Sequence, residues 1–336
     1  MAIAKALGVS RATVSLVLRG GGGASEDTQA KVLAMARKMD YRPNALVHSI
    51  RSGKSRTVGV LVAPHDSYWK EVCYGIHDRL SEADHLPLFL WDSERQTGGN
   101  GLDWALQQIH RLLDRWVDGV ILWPSFATLY AEHLHEFERR NIPLVTIDHT
   151  VPKLIADIVK NDEKMIAKLA VDHLTHLGHR QFLVLPGPPN FLWADQRDAD
   201  IAALLKKVKG TSATVLRPDF GENVIDAVVT ALQKNPEITG VIAGTDHLAE
   251  KIYRAAERLK LVIPRDLSVV GVADLDFAHS LSPALTSIKQ HGYEIGYKAA
   301  QVELERSAGI LIGPPRNYEI PVKLIERAST APPAKH

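Results

Sequence analysis

Cysteine is almost missing from this 336-residue chain, and the single Cys73 has no second thiol to pair with. A disulfide-stapled fold is therefore excluded, and one thiol in an apolar pattern reads as a small buried hydrophobe in a reducing compartment. Long apolar runs are missing as well. No stretch approaches the roughly 18 residues needed to cross a bilayer, and no basic segment leads into a hydrophobic one at the N-terminus. The expectation is a cytoplasmic protein with no membrane partner. Net charge is also nearly absent, at +1, but it is unevenly spread. Residues 1–57 hold ten Lys/Arg against three acids, or +7, which leaves −6 for the rest. A basic head on an acidic body suggests a polyanion partner for the head alone, because phosphate responds to local potential. On charge alone, a solvated basic surface explains the head equally well.

What is present fits a folded chain of two or three domains: 45% of residues are hydrophobic and 24% charged. Two regimes follow one another. Up to about Ile50 the pattern is helical throughout, in "AIAKALG", "SRATVSLVL", "SEDTQAKVLAMARKMD" and "NALVHSI". From Thr57 onward short apolar runs such as "TVGVLVAP", "DGVILWP", "IPLVTID", "QFLVLPG", "GVIAGTD" and "LSVVGVAD" alternate with helical segments. Continuous apolar strands between helices predict parallel sheets covered on both faces, and two such series predict two doubly wound subdomains. The fold class is α/β, with an all-α head. In this architecture ligands sit beyond the carboxyl ends of strands, and two subdomains would turn those ends toward a common cleft. "RSGKSR" reads as the linker, and the tail "APPAKH" as loose.

Within the head, "IAKALGVSRATVSLVL" breaks an apolar helix face at Gly8, and Ser10 stands where it caps the next helix. That spacing is a helix-turn-helix. Val9, Val14, Val17 and Leu18 would pack on the first helix, leaving Arg11, Ala12, Ser15, Leu16 and Arg19 to face a groove. The four glycines, Gly20 to Gly23, follow a helix and precede one, with no strand before them. They therefore read as a turn ahead of a helix capped by Ser25, and not as a phosphate loop.

Taken together, "GVSRATVS", "SEDTQAKVLAMARKMDYRPNALVHSIRSGKSRTVGVLV", "DHLTHLGHR", "IPRDLSVVGVADL", "SPALTSI" and "IPVKLIERAST" resemble the LacI/GalR family of bacterial transcriptional regulators across essentially the whole chain. The resemblance implies a homodimer on a near-palindromic operator, with Arg11, Ala12 and Leu16 at base-reading positions and Ser10, Thr13, Ser15 and Arg19 near the backbone. It also implies a hinge helix, here "NALVHSI", with Ile50 as the apolar wedge in the minor groove, where a leucine is usual. Family members usually carry residues ahead of "IAKALG" that cap the first helix, and starting at Met1 would cost about 1 kcal/mol of capping.

The implied domains are a DNA-binding head at 1–43, a hinge and linker at 44–56, and a core at 57–330. The core resembles a periplasmic sugar-binding protein, with an N-subdomain of about 57–157 and 286–318 and a C-subdomain of about 158–285 and 319–330. Its effector positions match Tyr68, Trp69, Asp148, His149, Arg197 and Asp246. Trp91, Trp123, Phe191 and Trp193 stand at or after strand ends and suit a sugar or another flat, hydroxyl-bearing ligand. One departure is plain. Where the family has glycine, an aromatic and aspartate, this chain has "GVA", so Ala273 lacks a carboxylate that Asp274 or Asp276 would have to replace.

No metal or cofactor is expected. His173, His176 and His179 share a helix, but the third drifts off the face of the first two. No nucleophile elbow is recognisable. Two competing classes remain: a solute-binding protein, which would share the core but not the basic head, and a nucleotide- or sugar-dependent enzyme, which would need a cofactor loop at a strand end.

Overall fold

The computed structural model describes residues 2–18, 23–41, 53–62, 64–90, 101–124, 131–149, 154–189, 191–218 and 223–334, without the side chains of 101–106 and 131–133. Two compact units divide between Arg56 and Thr57. Arg19, Gly20 to Gly22, "NALVHSI" with Ile50, and Trp91 lie outside the described residues.

The first unit is three helices: α1 Ala2–Leu7, α2 Arg11–Val17 and α3 Glu26–Lys38. Gly8 supplies the left-handed turn, at φ +65°, that ends α1. Ser10 then accepts the N–H of Thr13 at 3.0 Å and starts α2. Ser25 does the same for α3 through Thr28 at 3.3 Å, with Glu26 and Asp27 in the first turn, where the helix dipole favours acids. Ile3, Val14, Val17, Val32 and Ala36 make the small core, and Val9 and Leu18 pack at its edge.

The second unit holds two six-stranded sheets. The strands in chain order are β1 Thr57–Leu61, β2 Leu86–Phe89, β3 Gly119–Leu122, β4 Leu144–Ile147, β5 Asp157–Asn161, β6 Gln181–Leu185, β7 Ser212–Val215, β8 Gly240–Ala243, β9 Ser268–Ala273, β10 Thr286–Lys289, β11 Asn317–Ile320 and β12 Lys323–Ile325. One sheet runs β11-β5-β4-β3-β1-β2 and the other β12-β10-β9-β8-β6-β7. Their helices are α4 Ser67–Glu82, α5 Gly101–Asp114, α6 Ala131–Arg139, α7 Glu163–Leu177, α8 Leu192–Leu205, α9 Asn223–Lys234, α10 Asp246–Leu259 and α11 Gly292–Ser307. Central strands β3, β4 and β8 are buried at every residue, whereas edge strand β7 is mostly exposed, as helices on both faces require. Pairing is parallel except for β12 against β10, which departs from the all-parallel expectation at one edge.

The chain crosses between lobes after Asn161, Lys289 and Ile320. The subdomain limits at 157 and 286 therefore move a few residues later, because Asp157 and Thr286 open strands. Both are polar yet buried. Arg306 pairs with Asp157 at 2.7 Å, and Thr286 donates its N–H to Ser329 Oγ at 2.8 Å while its hydroxyl oxygen accepts the Arg327 N–H at 2.9 Å. The tail is also less loose than expected: Ala331 exchanges hydrogen bonds with Ser268 Oγ, and its carbonyl meets His179 at 2.9 Å.

Helix α4 carries two of the expected site residues and is fixed by contact with α11. A Cβ on Gly75 would fall 2.1 Å from Tyr293 O, and one on Gly296 would fall 2.0 Å from Val72 O. Only glycine lets the two helices meet at this distance. Of the three histidines expected on one helix, His173 and His176 lie in α7 and His179 follows its Gly178 cap; His173 bonds Thr330, His176 bonds the Asp172 carbonyl, and buried His179 bonds Thr239 and Ala331.

Candidate functional site

On the head, the cap of α2 decides which side chains are left outward. Val14 and Val17 turn into the core, so Ser10, Arg11 and Ala12 at the helix start are exposed. Thr13 is half-buried, its hydroxyl 2.8 Å from that of Ser10. Ser15 and Leu16 are half-buried too. A Cβ on Gly23, which sits at φ +116°, would lie 3.2 Å from Leu16 Cδ2, so Gly23 itself lies close against Leu16. Arg11, Lys5 and the N-terminal N–H groups of α2 give this edge the character that attracts phosphate.

In the second unit, a cavity of about 540 Å³ opens between the lobes at the carboxyl ends of the strands. Its volume lies within the range of about 300–1,000 Å³ usual for small-ligand sites. Tyr68, Trp69, Asp148 and Arg197 line it, as the sequence led one to expect, together with Trp123, Phe191 and Trp193. From the first lobe, Asp66 caps α4 by accepting the N–H of Trp69 at 3.0 Å, which aims Tyr68 and Trp69 into the opening. Trp69 and Trp123 pack with ring centroids 4.8 Å apart. Asp148, held at φ +66°, accepts only long bonds from Tyr68 OH at 3.5 Å and Asn161 Nδ2 at 3.4 Å. Burial, reinforced by nearby Glu163, pushes its carboxyl up to about 7. The Tyr68 phenol is raised as well, first by burial and then by Asp148.

From the second lobe, Arg197 is clamped. Its Nε and Nη2 donate to both oxygens of Glu163 at 2.7–3.0 Å, its Nη1 donates to the Gly244 carbonyl, and its guanidinium lies over Trp193 at 5.0 Å. Thr245 caps α10 through Leu248 N–H at 3.2 Å. The lobes touch through Asp66 and His247 at 3.4 Å, and the Asp66 carboxylate holds the His247 imidazole above its usual pKa. They touch again where Asp276 N–H donates to Ser67 Oγ at 3.1 Å.

Three expected residues do not line this cavity. Asp246 is wholly buried, accepting Leu275 N–H and Ser287 Oγ–H at 2.7 Å each, and burial raises it to about 7. Asp274 pairs with Arg327 at 2.7 Å and borders a separate depression near Lys289 and His291. His149 bonds the Pro124 carbonyl, and burial lowers its pKa. Each is held by partners distant in sequence, which strand-end position alone cannot reveal. Conversely, Glu163 and His247 line the cavity, and Asn161 donates to Tyr68 OH and Asp148 behind it; none of the three was expected from the sequence. Asn161 had a usable signal, as the last residue of a strand leading into a crossover.

Comparison with known proteins divides the chain in the same way. Residues 2–44 match the model for bacterial regulatory proteins, lacI family, and residues 171–330 match the periplasmic binding protein-like domain. The ribose operon repressor of Halalkalibacterium halodurans is 27% identical over 330 residues, covering 98% of this chain and 96% of that one. A lac repressor dimer bound to operator and the anti-inducer ONPF shares the fold, with a TM-score of 0.84 at 24% identity over 98% of each chain. A LacI family transcriptional regulator from Enterococcus faecium with bound ribose has a TM-score of 0.69 at 25% identity, covering 82% of this chain and 99% of that one.

Proposed function

The chain belongs to the lacI family of bacterial regulatory proteins, and from that premise we propose that it is a transcriptional repressor that binds a near-palindromic operator as a homodimer under the control of a sugar-like effector. The observation that carries this reading is the union, on one chain, of a Ser10-capped helix with Arg11 and Ala12 outward and a ligand-sized cleft between two hinged lobes. Arg11 offers a guanine a bidentate fork to its O6 and N7, and Ala12 and Leu16 offer apolar contacts to the thymine methyl. Ser10, Thr13, Ser15 and Arg19 meet the backbone, and Ile50 enters the minor groove. In the cleft, Trp69 and Trp123 present faces to a sugar ring while Tyr68, Asp148 and Arg197 meet its hydroxyls. Asp246, Asp274 and His149 act by holding the walls. Its role is binding rather than catalysis, like that of its repressor relatives, and its place of action is the cytoplasm, where the operator is.

The test is a binding assay on labelled DNA from upstream of its own operon, with and without ribose and other sugars. A specific shift that a sugar modulates is expected, and Arg11→Ala should weaken it by about 1–3 kcal/mol at one symmetric base position. No specific shift at any site near the operon would overturn the reading.

A further inference from the structure

Strand β5 buries a polar side chain at each end. Asp157 at its start is fully matched, accepting from Arg306 Nε and Nη2 at 2.7 and 3.0 Å and from the Arg316 N–H at 2.9 Å. Asn161 at its end is not. It is wholly buried, on the same face of the strand as Val159, and its carbonyl Oδ1 has no hydrogen-bond partner among the described residues. A buried carbonyl left unpaired is costly, and an apolar side chain would avoid that cost. Scaffolding alone therefore does not account for an asparagine here.

The other half of the amide is engaged. Asn161 Nδ2 donates to the Tyr68 hydroxyl oxygen at 2.9 Å and to Asp148 Oδ1 at 3.4 Å, and the Tyr68 hydroxyl turns its own proton to the same Oδ1 at 3.5 Å. The sheet fixes this grouping, because Asp148 N–H donates to the Val159 carbonyl at 2.9 Å and so sets the end of β4 beside the end of β5. Both bonds to Asp148 fall on Oδ1, and Oδ2 accepts none among the described residues. Tyr68 and Asp148 line the cavity, while Asn161 stands behind them. The next two residues of the crossover serve the second lobe: Asp162 caps α7 through the Met165 N–H at 2.9 Å, and Glu163 holds Arg197.

Resting on the effector reading above, we propose that Asn161 is a positioning residue for effector recognition: without touching the ligand, it gathers the Tyr68 hydroxyl and its own amide onto one oxygen of Asp148 and leaves the other to accept ligand hydroxyls. The ionised carboxyl is the form that accepts. Burial and Glu163 from α7 push Asp148 up to about 7, against Arg197 from α8 and the bonds from Tyr68 of α4 and Asn161 of β5.

Calorimetric titration of the full chain with D-ribose, D-glucose and D-galactose across neutral pH tests this role. In the native chain affinity should rise with pH through a step near 7, and Asp148→Asn should abolish the step. Asn161→Leu should weaken binding about fivefold or more at neutral pH and move the step upward by about half a unit or more, because the ionised form has lost a donor. Asn161→Asp keeps the size of the side chain and should move the step the same way, by setting a second carboxyl beside the first. Urea unfolding of each variant separates loss of fold from loss of position. If both variants keep the native affinity and step, whatever their stability, or if the step persists in Asp148→Asn, the proposal fails and the sugar-effector reading stands. If no sugar binds the native chain, both fail.

Discussion

Both lobes of the core place an aspartate at the carboxyl end of a central strand, Asp148 after β4 and Asp246 after β8, and burial lifts both to about 7. Their surroundings then diverge. Asp246 has both oxygens taken at 2.7 Å, tying the start of α10 to β10 and to the segment after β9. Among the described residues, Asp148 accepts no hydrogen bond shorter than 3.4 Å. Equal position and a similar pKa therefore do not imply equal work: one carboxyl is internal scaffolding, while the other is held open to the cleft.

The sharpest way to break the comparison is at the clamp beside it. Arg197→Met should lower core stability by about 3–5 kcal/mol in urea unfolding, because Glu163 would remain as a buried, uncompensated carboxylate. A loss near zero would mean that the pair is not desolvated. Next, Asp246→Ala should cost about 2–3 kcal/mol by orphaning the donors of Leu275 and Ser287. Asp148→Ala should cost under about 1 kcal/mol, since its bonds are long, while ligand affinity falls at least tenfold. If the two substitutions destabilise equally, the distinction between the aspartates is lost.

A third prediction concerns pH. Both folded carboxyls titrate near 7 against an ordinary 3.8, so their stabilising contribution is complete below about pH 4 and is lost as pH rises toward 7. The unfolding free energy should fall over that window by on the order of 1 kcal/mol per pH unit for each group. The double change Asp148→Asn with Asp246→Asn should flatten this slope, and an unchanged slope would assign it to other groups. The smallest effect lies in the head. Ser10→Ala should cost about 1 kcal/mol of helix stability and weaken operator binding, with sugar affinity in the isolated chain unchanged.

The head was legible almost residue by residue, because its determinants act over three or four positions. Gly8 turns the chain, Ser10 bonds Thr13, and Val14 and Val17 share one helical face. The two sheets were legible for the same kind of reason, since each central strand announces itself as a short apolar run bounded by helices. Limits set at Asp157 and Thr286 slipped because buried polar residues look like strand ends until their partners Arg306 and Ser329 are seen. Of the residues expected at the cleft, Tyr68, Trp69, Trp123, Phe191, Trp193, Asp148 and Arg197 line the cavity, whereas Asp246, Asp274 and His149 are turned onto partners from elsewhere in the chain.

The sequence by itself thus determined the elements, their order, the capped recognition helix and the strand ends where a ligand would sit. Only the tertiary structure decided which strand-end groups remain available to that ligand. Local hydrogen bonds such as Ser10 to Thr13 span three residues, whereas those that withdraw Asp246 span 29 and 41. A buried polar group is defined by its partners, and those are brought together only when the chain has folded.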